Sequence, residues 1–264
     1  MNLGLAGKVA WVTGGSSGLG RAAASSMAAE GAAVAISSRN EQDLKAAAVE
    51  ISEQTGAPCM AVPLDVTDAR AIPEAAGRIS EELGAIDVLV SNAGGPPPGP
   101  FEAFDDEDMF GAFTLTTASA WRLTKAVLPV MRERGSGCLI YLTSGSTKEV
   151  IEGLLLSNMM RAAVVGMAKT LSKELGPHGI RALCVAPGRI HTSRLEQLDS
   201  NKAERTGRTV EDVRNEITAG IPLGRYGDPQ EFGDAVAFLA SERASYISGV
   251  SLVVDGGHLD GLLT

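Results

Sequence analysis

A glycine-rich stretch near the amino end constrains the fold of this chain most strongly. It is Thr13–Gly20, with the sequence Thr-Gly-Gly-Ser-Ser-Gly-Leu-Gly. It follows a short β-rich run, Lys8–Val12, and precedes an alanine-rich run, Arg21–Glu30, that favours a helix. The pattern predicts a strand, a tight turn and a helix, and the glycines let a bulky group approach the backbone amides. Amides at a helix amino terminus bind anions, so either the turn holds a dinucleotide pyrophosphate or it is a plain connection.

Composition limits the class of protein. With 264 residues, of which 44% are hydrophobic and 21% charged, the chain can bury a full core and is predicted to form one domain, residues 1–264. The net charge of -9 argues against a nucleic-acid partner, because no basic block is present to neutralise phosphates. No apolar run approaches the roughly 18 residues of a membrane span, and no signal-peptide pattern is present. We therefore expect a soluble, cytoplasmic protein without a membrane partner.

The three cysteines, Cys59, Cys138 and Cys184, lie in or at the start of predicted strands. Their number is odd and their spacing does not match a metal site, so we predict buried, reduced thiols and no metal centre.

Strand-like and helix-like runs alternate along the chain. Short β-branched runs separated by amphipathic helices are typical of parallel strands joined by crossover helices, which predicts an α/β, doubly wound sheet with helices on both faces. The predicted strands are Lys8–Val12, Ala33–Ser38, Pro58–Pro63, Ile86–Ser91, Cys138–Thr143, Ile180–Ala186 and Val250–Val254. The predicted helices are Arg21–Glu30, Glu41–Gln54, Asp68–Leu83, Glu107–Arg134, Ser157–Leu175 and Gln230–Leu239. The remaining long segment, Arg189–Gly227, is predicted to be an irregular substrate lid with hinges at Gly207 and Gly220.

In such a sheet ligands bind beyond the carboxyl ends of the strands. After the second strand come Ser38 and Arg39, where a site for NAD(H) would present an acidic residue to the ribose 2′-hydroxyl. An arginine suits a 2′-phosphate, so NADP(H) is the preferred cofactor and NAD(H) remains possible. The alternative is that Arg39 is an ordinary solvated side chain.

Further candidates follow the other strands. Asp65 and Val66 are placed at the adenine, the small residues Asn92-Ala93-Gly94 along the cofactor, and Pro187-Gly188 with Thr192 at the nicotinamide amide. The rigid run Pro96–Pro100 is either a wall beside the nicotinamide or a surface connection. The predicted cofactor-binding residues are Thr13, Gly14, Ser16, Ser17, Gly18, Leu19, Gly20, Ser38, Arg39, Asp65, Val66, Asn92, Ala93, Gly94, Arg161, Pro187, Gly188, Ile190 and Thr192.

Taken in order, five motifs resemble the short-chain dehydrogenase/reductase family, and the chain is similar to its β-ketoacyl-carrier-protein-reductase-like branch. These motifs are Thr13-Gly14-x-x-x-Gly18-x-Gly20, Asp65-Val66, Asn92-Ala93-Gly94, Pro187-Gly188 with Thr192, and Val254-Asp255-Gly256-Gly257. The resemblance implies a Rossmann-type fold and a bound nicotinamide cofactor. It also implies a homo-oligomer, commonly a tetramer, built on two long helices that would start near Glu107 and Ser157.

The predicted catalytic positions depart from the family pattern. That pattern has a serine after the fifth strand, a tyrosine thirteen positions later and a lysine four beyond it. Ser144 fits the serine, but Ser157 and Arg161 stand at the later positions, and Thr116 aligns with the family's helical asparagine. Neither a serine hydroxyl nor a guanidinium with a pKa above about 12 exchanges a proton as readily as an activated phenol.

Ser157 and Arg161 nevertheless share one helix face, because their spacing is i, i+4. Arg161 could hold the nicotinamide ribose or a substrate carboxylate with its planar fork, while Ser157 orients or relays a proton. The alternative is that Ser157 is a helix N-cap and Arg161 a surface residue.

Other groups could supply the proton. Lys148 and Glu149 follow Ser144 but are also typical of a solvated loop, and His191 is either an acid near neutral pH or a polar residue at the start of the lid. Water held by Ser144 and Ser157 is a further route.

The function predicted is an oxidoreductase, NADP-preferring, that interconverts a carbonyl and an alcohol on a small molecule, resembling a 3-oxoacyl reductase. One alternative is a nucleotide-binding sensor or partner subunit without turnover. A second is an isomerase or lyase on the same scaffold.

Overall fold

The computed structural model describes residues 2–261. Seven parallel strands form one sheet in the order β3-β2-β1-β4-β5-β6-β7. The strands are β1 Val9–Thr13, β2 Ala33–Ser37, β3 Cys59–Ala61, β4 Val88–Ser91, β5 Gly137–Leu142, β6 Ile180–Pro187 and β7 Ser251–Val254. The doubly wound sheet predicted from the sequence is confirmed. The chain reverses its winding direction between β1 and β4, and this switch point is where such sheets bind ligands.

Helices cover both faces of the sheet. The principal helices are α1 Gly18–Ala29, α2 Glu41–Thr55, α3 Ala71–Glu82, α4 Asp106–Phe113, α5 Ser119–Arg134, α6 Leu155–Leu175 and α9 Pro229–Ala240. Apolar residues of α1, α2 and α9 form the core on one face, and those of α3, α5 and α6 form the core on the other. Strands buried on both faces need apolar residues at successive positions, which is why β1 reads Val-Ala-Trp-Val-Thr.

Trp11 shows how tightly the centre of the sheet is packed. Its side chain in β1 is fully buried, and the indole Nε1 donates a hydrogen bond of 2.9 Å to Ser37 Oγ on β2. A buried indole N–H needs such a partner, because leaving it unpaired would cost about 1–3 kcal/mol.

The predicted helix Glu107–Arg134 contains a wider turn. Residues Thr114–Ala118 join α4 to α5 as a π-helical turn, which places Thr116 inside the protein. A π turn of this kind shifts the register of the side chains that follow it.

The segment Arg189–Gly227 is not irregular, so that prediction was wrong. It contains two further helices, α7 Ser193–Thr206 and α8 Val210–Ala219, which pack on each other through Leu195, Ala203, Val213 and Ile217. Charged residues outnumber apolar ones along α7 and equal them along α8, which masks this small core in the sequence. We call α7, α8 and their flanking residues, 189–227, the lid.

Of the two predicted hinges, Gly207 ends α7 with a positive φ of 65°. Gly220 has ordinary helical φ and ψ, so its backbone gives no sign of a hinge. The base of the lid is closed by a bridge between Ile190 and Gly227. Within residues 2–261, no helix is both long and apolar enough to span a membrane.

Candidate active site

The switch point joins the ends of β1 and β4. Thr13 Oγ1 donates to the Asn92 carbonyl oxygen at 2.7 Å and accepts from the Asn92 amide at 2.9 Å. Asn92 Nδ2 lies 3.4 Å from the Gly14 carbonyl oxygen. These bonds fix the glycine turn against the loop after β4, as expected for two strand ends that share one edge of the sheet.

Steric constraints explain why glycine occupies these positions of the turn. Gly14 and Gly18 have positive φ values of 59° and 54°, and a Cβ on Gly20 would overlap the Gly14 carbonyl group. Ser17 precedes α1 in an extended conformation, and its side chain does not cap the first turn of the helix. The amino end of α1 is therefore open to an external acceptor such as a pyrophosphate.

Arg39 and Asp65 follow β2 and β3. Arg39 is exposed, whereas Asp65 accepts from the Thr67 amide at 2.9 Å and the Thr67 hydroxyl at 2.8 Å. The Thr67 amide, the Thr67 hydroxyl and the nearby Arg39 charge hold the pKa of Asp65 below its usual value. The two predicted residues therefore lie close together. Ser38 is half-buried, and Val66 packs against the core.

The ends of β5 and β6 form the other half of the site. Ser144 follows β5, and its Oγ accepts a hydrogen bond of 3.1 Å from the Ser146 amide. Gly188 follows β6, and a Cβ there would collide with Asp255. Thr192 caps α7 through Leu195, and its methyl carbon would stand 3.5 Å from a Cβ on Gly18. The lid therefore begins directly against the glycine turn, whereas the side chain of Ile190 is buried at the base of the lid.

Ser157 and Arg161 point inward from α6. The helix begins at Leu155 after Leu154, so Ser157 is not its N-cap, and the capping interpretation was wrong. Ser157 is buried, and Arg161 Nη1 donates to the Leu142 carbonyl oxygen at 2.9 Å. Arg161 is thus not a surface residue. Burial, and secondly the positive charge of Arg194, lowers the pKa of Arg161 to about 10, which leaves it charged at neutral pH.

A small cavity with polar groups on its lining lies beside Arg161, between α5, α6 and the ends of β4 and β5. The Thr116 hydroxyl is buried there without a hydrogen-bond partner among residues 2–261. Such an orphaned hydroxyl is costly when dry, so the cavity suits an ordered water. Its polar lining consists of Ser91, Thr116, Ser119, Tyr141, Thr143 and Arg161.

None of the three tyrosines offers an activated phenol. Tyr141 is fully buried and its hydroxyl lies 2.7 Å from Thr124 Oγ1; burial is the main cause that raises its pKa. Tyr226 donates to buried Asp199 at 3.0 Å, and burial with the Asp199 contact raises its pKa to about 12. Tyr246 is fully exposed.

The other predicted proton donors occupy less enclosed positions. Glu149 is exposed, and Lys148 is half-buried in the segment after Ser144. His191 is also exposed, with its ring centroid 5.1 Å from that of Tyr226 and its backbone amide bonded to Gly227. His191 thus belongs to the base of the lid.

Sequence reasoning missed two residues at the site. Arg194, the second residue of α7, reaches the loop after β4 and donates to the Pro96 carbonyl oxygen at 3.4 Å. Leu259 packs near Gly145, since a Cβ there would stand 3.5 Å from Leu259 Cδ1. The available signal for Arg194 was its position two residues after Thr192, but the direction of its side chain depends on how the lid packs.

The thiols behave as predicted in part. Cys138 and Cys184 are buried, Cys59 is half-buried, and none forms a disulfide. Burial raises the pKa of Cys59 to about 12, of Cys138 to about 11 and of Cys184 to about 12, so these thiols are poor nucleophiles. Within the described chain, no group of three or more metal-ligating side chains gathers.

The fold and this site define a class. A doubly wound parallel sheet with a glycine turn at its switch point, opposite a helix amino terminus, is the architecture of proteins that bind dinucleotides. The open helix end and the small residues of the turn fit a nicotinamide dinucleotide.

Comparison with known proteins specifies the family. A family model described as enoyl-(acyl carrier protein) reductase matches residues 14–258. The 3-oxoacyl-(acyl-carrier-protein) reductase FabG of Escherichia coli (strain K12) is 36% identical over 251 residues, or 95% of this chain and 97% of that protein. Oxidoreductase UcpA of Salmonella typhimurium is 35% identical over 256 residues, or 96% of this chain and 95% of that one.

Among solved structures, L-sorbose reductase from Gluconobacter frateurii, complexed with NADPH and L-sorbose, matches with a TM-score of 0.94 and 31% identity. The match covers 99% of this chain and 100% of the reductase. The chain therefore belongs to the short-chain dehydrogenase/reductase family and is similar to its 3-oxoacyl-reductase-like branch. It is an oxidoreductase of the NAD(P)(H)-binding type.

Proposed function

We propose that this protein is an NADP(H)-preferring oxidoreductase that interconverts a carbonyl and an alcohol on a small molecule through an atypical active site. The observation that carries the proposal is the meeting of the glycine turn, Ser144 and Arg161 along one edge of the sheet. Arg39 after β2 supports the preference for a 2′-phosphate, because guanidinium groups bind phosphates with charge-assisted hydrogen bonds.

The bound nicotinamide would supply or accept the hydride, and the residues of this chain would hold the substrate and move the proton. Ser144 has a hydroxyl free to donate, since its Oγ serves only as acceptor for the Ser146 amide. We assign it the hydrogen bond to the substrate oxygen. Arg161 remains cationic and acts by position and charge, holding the ribose or the substrate.

The proton requires a route that uses no phenol. Ser157 is buried four residues before Arg161 on the same helix face and relays or orients the proton in this proposal. The orphaned Thr116 hydroxyl beside Arg161 supports a water at the inner end of that route. Lys148, Glu149 and His191 remain alternative donors.

The test is NADPH consumption with a broad panel of aldehydes and ketones. We expect turnover with at least one of them. Ser144→Ala should lower kcat by at least about 100-fold, as loss of a donor to a developing oxyanion does, while leaving the Kd for NADPH unchanged. Ser80→Ala on α3 is the matched control and should retain activity.

A cofactor-binding sensor or partner subunit is the second candidate, because none of the three tyrosines is available as a proton donor. Two are buried in hydrogen bonds to other side chains, and the third is fully exposed. It predicts tight NADPH binding, no turnover with any member of the panel, and no effect of Ser144→Ala. Those results together would overturn the oxidoreductase proposal.

A further inference from the structure

Two arginines bond to backbone carbonyl oxygens at the carboxyl ends of the neighbouring strands β4 and β5. Arg161 lies on α6 and donates to the Leu142 carbonyl oxygen at 2.9 Å, at the end of β5. Arg194 lies in the first turn of α7, and its Nη2 is 3.4 Å from the Pro96 carbonyl oxygen. Because the same Nη2 would stand 3.5 Å from a Cβ on Gly95, the guanidinium rests directly on the loop after β4.

Neither guanidinium has an anionic partner in the described part of the chain. The ion pairs of residues 2–261 all use other cations. Four other arginines of the lid do pair with carboxylates: Arg189 and Arg214 with Asp199, Arg208 with Glu216, and Arg225 with Glu231. Arg161 and Arg194 thus carry two like charges, near enough for Arg194 to act on Arg161, that no carboxylate of the described chain pairs with.

The two charges are both positive in a molecule whose net charge is -9. Like charges held close together destabilise each other, and the Arg194 charge is one reason that the pKa of Arg161 falls. An anion bound between them would remove that repulsion. The backbone carbonyls that hold each arginine use one N–H apiece, so other N–H groups remain for a ligand.

The position of Arg161 relative to Ser144 indicates that the two arginines contact the substrate. Arg161 is anchored to Leu142, two residues before Ser144 on the same strand end. An anion held there would lie near the end of β5, which Ser144 follows, and so on the side of the hydroxyl that we assign to the reacting oxygen.

We propose that Arg161 and Arg194 together bind a carboxylate of the substrate, so that the protein acts on oxo acids and hydroxy acids. This inference rests on the proposed function and deepens it. Arg161 supplies the wall formed by the body, and Arg194 supplies the wall formed by the lid. A carboxylate accepts hydrogen bonds from guanidinium forks on both of its oxygens, whereas its methyl ester keeps the shape but loses the charge.

Calorimetry on the protein saturated with NADP⁺ tests the inference without turnover, because the oxidised cofactor cannot reduce a ketone. The probes are pyruvate, 2-oxobutanoate and 4-oxopentanoate, each compared with its methyl ester. At least one acid should bind about 10- to 100-fold more tightly than its ester, the range expected from hydrogen bonds to a charged group. Binding of every ester as tight as that of its acid, or no binding by any acid, overturns the proposal.

Variants separate recognition from a structural role. Arg194→Leu should weaken the acid by about 10- to 100-fold and leave the ester and NADPH unaffected, and Arg194→Lys should be intermediate because it keeps the charge without the fork. Arg132→Leu is the matched control, since exposed Arg132 lies in the last turn of α5, just before the start of β5 and away from the carboxyl ends of the strands. Equal weakening of acid and ester by Arg194→Leu would mean that Arg194 only holds the lid, and would overturn the proposal.

Failure of the proposed function is distinguishable from failure of this inference. NADPH titration of the same preparation tests cofactor binding by itself. If NADPH does not bind, the oxidoreductase proposal fails, and the comparison of acid with ester on the unliganded protein still decides whether the arginines recognise a carboxylate.

Discussion

The single side chain of Arg39 is the basis of the proposed preference for NADP(H) over NAD(H). Its guanidinium is exposed after β2 and acts on Asp65, whose carboxylate is already bonded to the amide and hydroxyl of Thr67. Because Asp65 is held by Thr67, Arg39 keeps donors for a phosphate. It also repels no part of a 2′-phosphate, as the acidic residue of an NAD(H) site would.

Arg39→Ala should therefore raise the Kd for NADPH by about 10- to 100-fold, the loss expected for a charge-assisted phosphate contact. The Kd for NADH should change by less than about 3-fold, since NADH has no 2′-phosphate. Fluorescence titration with each cofactor measures both values, and Arg132→Ala serves as the control. Equal weakening of the two cofactors would remove the phosphate assignment.

At the same scale, the sequence predicted contacts that topology dictates and missed those that packing dictates. Thr13 ends β1, Asn92 follows β4 and Thr192 lies in the segment after β6, and they meet at one edge because parallel strands end together. Arg194 was missed because its direction depends on how α7 docks. The capping interpretation of Ser157 was wrong because α6 begins at Leu155, two residues before Ser157, and the residue at the cap position is Leu154.

Between elements, α1 and α9 pack closely against each other. Gly233 on α9 faces α1, and a Cβ there would stand 2.5 Å from the Ala22 carbonyl oxygen and 2.6 Å from Ser26 Oγ. Backbone atoms cannot give way as side-chain ends do, so the helices would have to separate. The helix α1 also carries the glycine turn, which makes this contact part of the support of the site.

Gly233→Ala should lower the free energy of unfolding by about 1–3 kcal/mol, because it overpacks a rigid contact. Gly77 is the matched control: it lies in the interior of α3, and nothing stands within 4 Å of its Cβ position. Gly77→Ala should raise the free energy of unfolding by about 0.5–1 kcal/mol through helix propensity alone. Urea denaturation measures both, and an unchanged midpoint for Gly233→Ala would contradict the packing argument.

Predictability also differs among elements. The seven strands were found because buried parallel strands are continuous apolar runs, although β3 is shorter than predicted, Cys59–Ala61 instead of Pro58–Pro63. The lid helices were missed because each buries only a few apolar residues against the other. The π turn at Thr114–Ala118 was not predicted, because the hydrophobic pattern of the sequence remains helical across these residues.

The whole molecule leaves an apolar strip uncovered on α4 and α5. Phe110, Phe113 and Trp121 are 60%, 44% and 56% exposed, and their spacing places them along one side of the two helices. Large apolar side chains clustered in this way mark interaction surfaces. In the family that the chain belongs to, long helices of this kind commonly join subunits, so we propose a homo-oligomer that buries the strip.

Light scattering coupled to size exclusion should give a mass near four times the 27.3 kDa subunit. Trp121→Glu should produce a species of lower mass, because it places a charge in a desolvated interface. Val49→Glu makes the same kind of change at an exposed position on α2, and should leave the mass unaltered. A monomeric wild-type protein would contradict the proposed assembly.

Trp11 is fully buried and Trp121 is exposed, so the fluorescence of the two tryptophans can be told apart by a quencher in solution. Iodide in solution can quench the indole of Trp121 but not that of Trp11, which is sealed inside β1 two residues ahead of the glycine turn. When α5 is uncovered, the emission that survives iodide comes from Trp11 alone, and burial of the strip adds the emission of Trp121 to it. The quenchable fraction therefore reports subunit association without an attached dye.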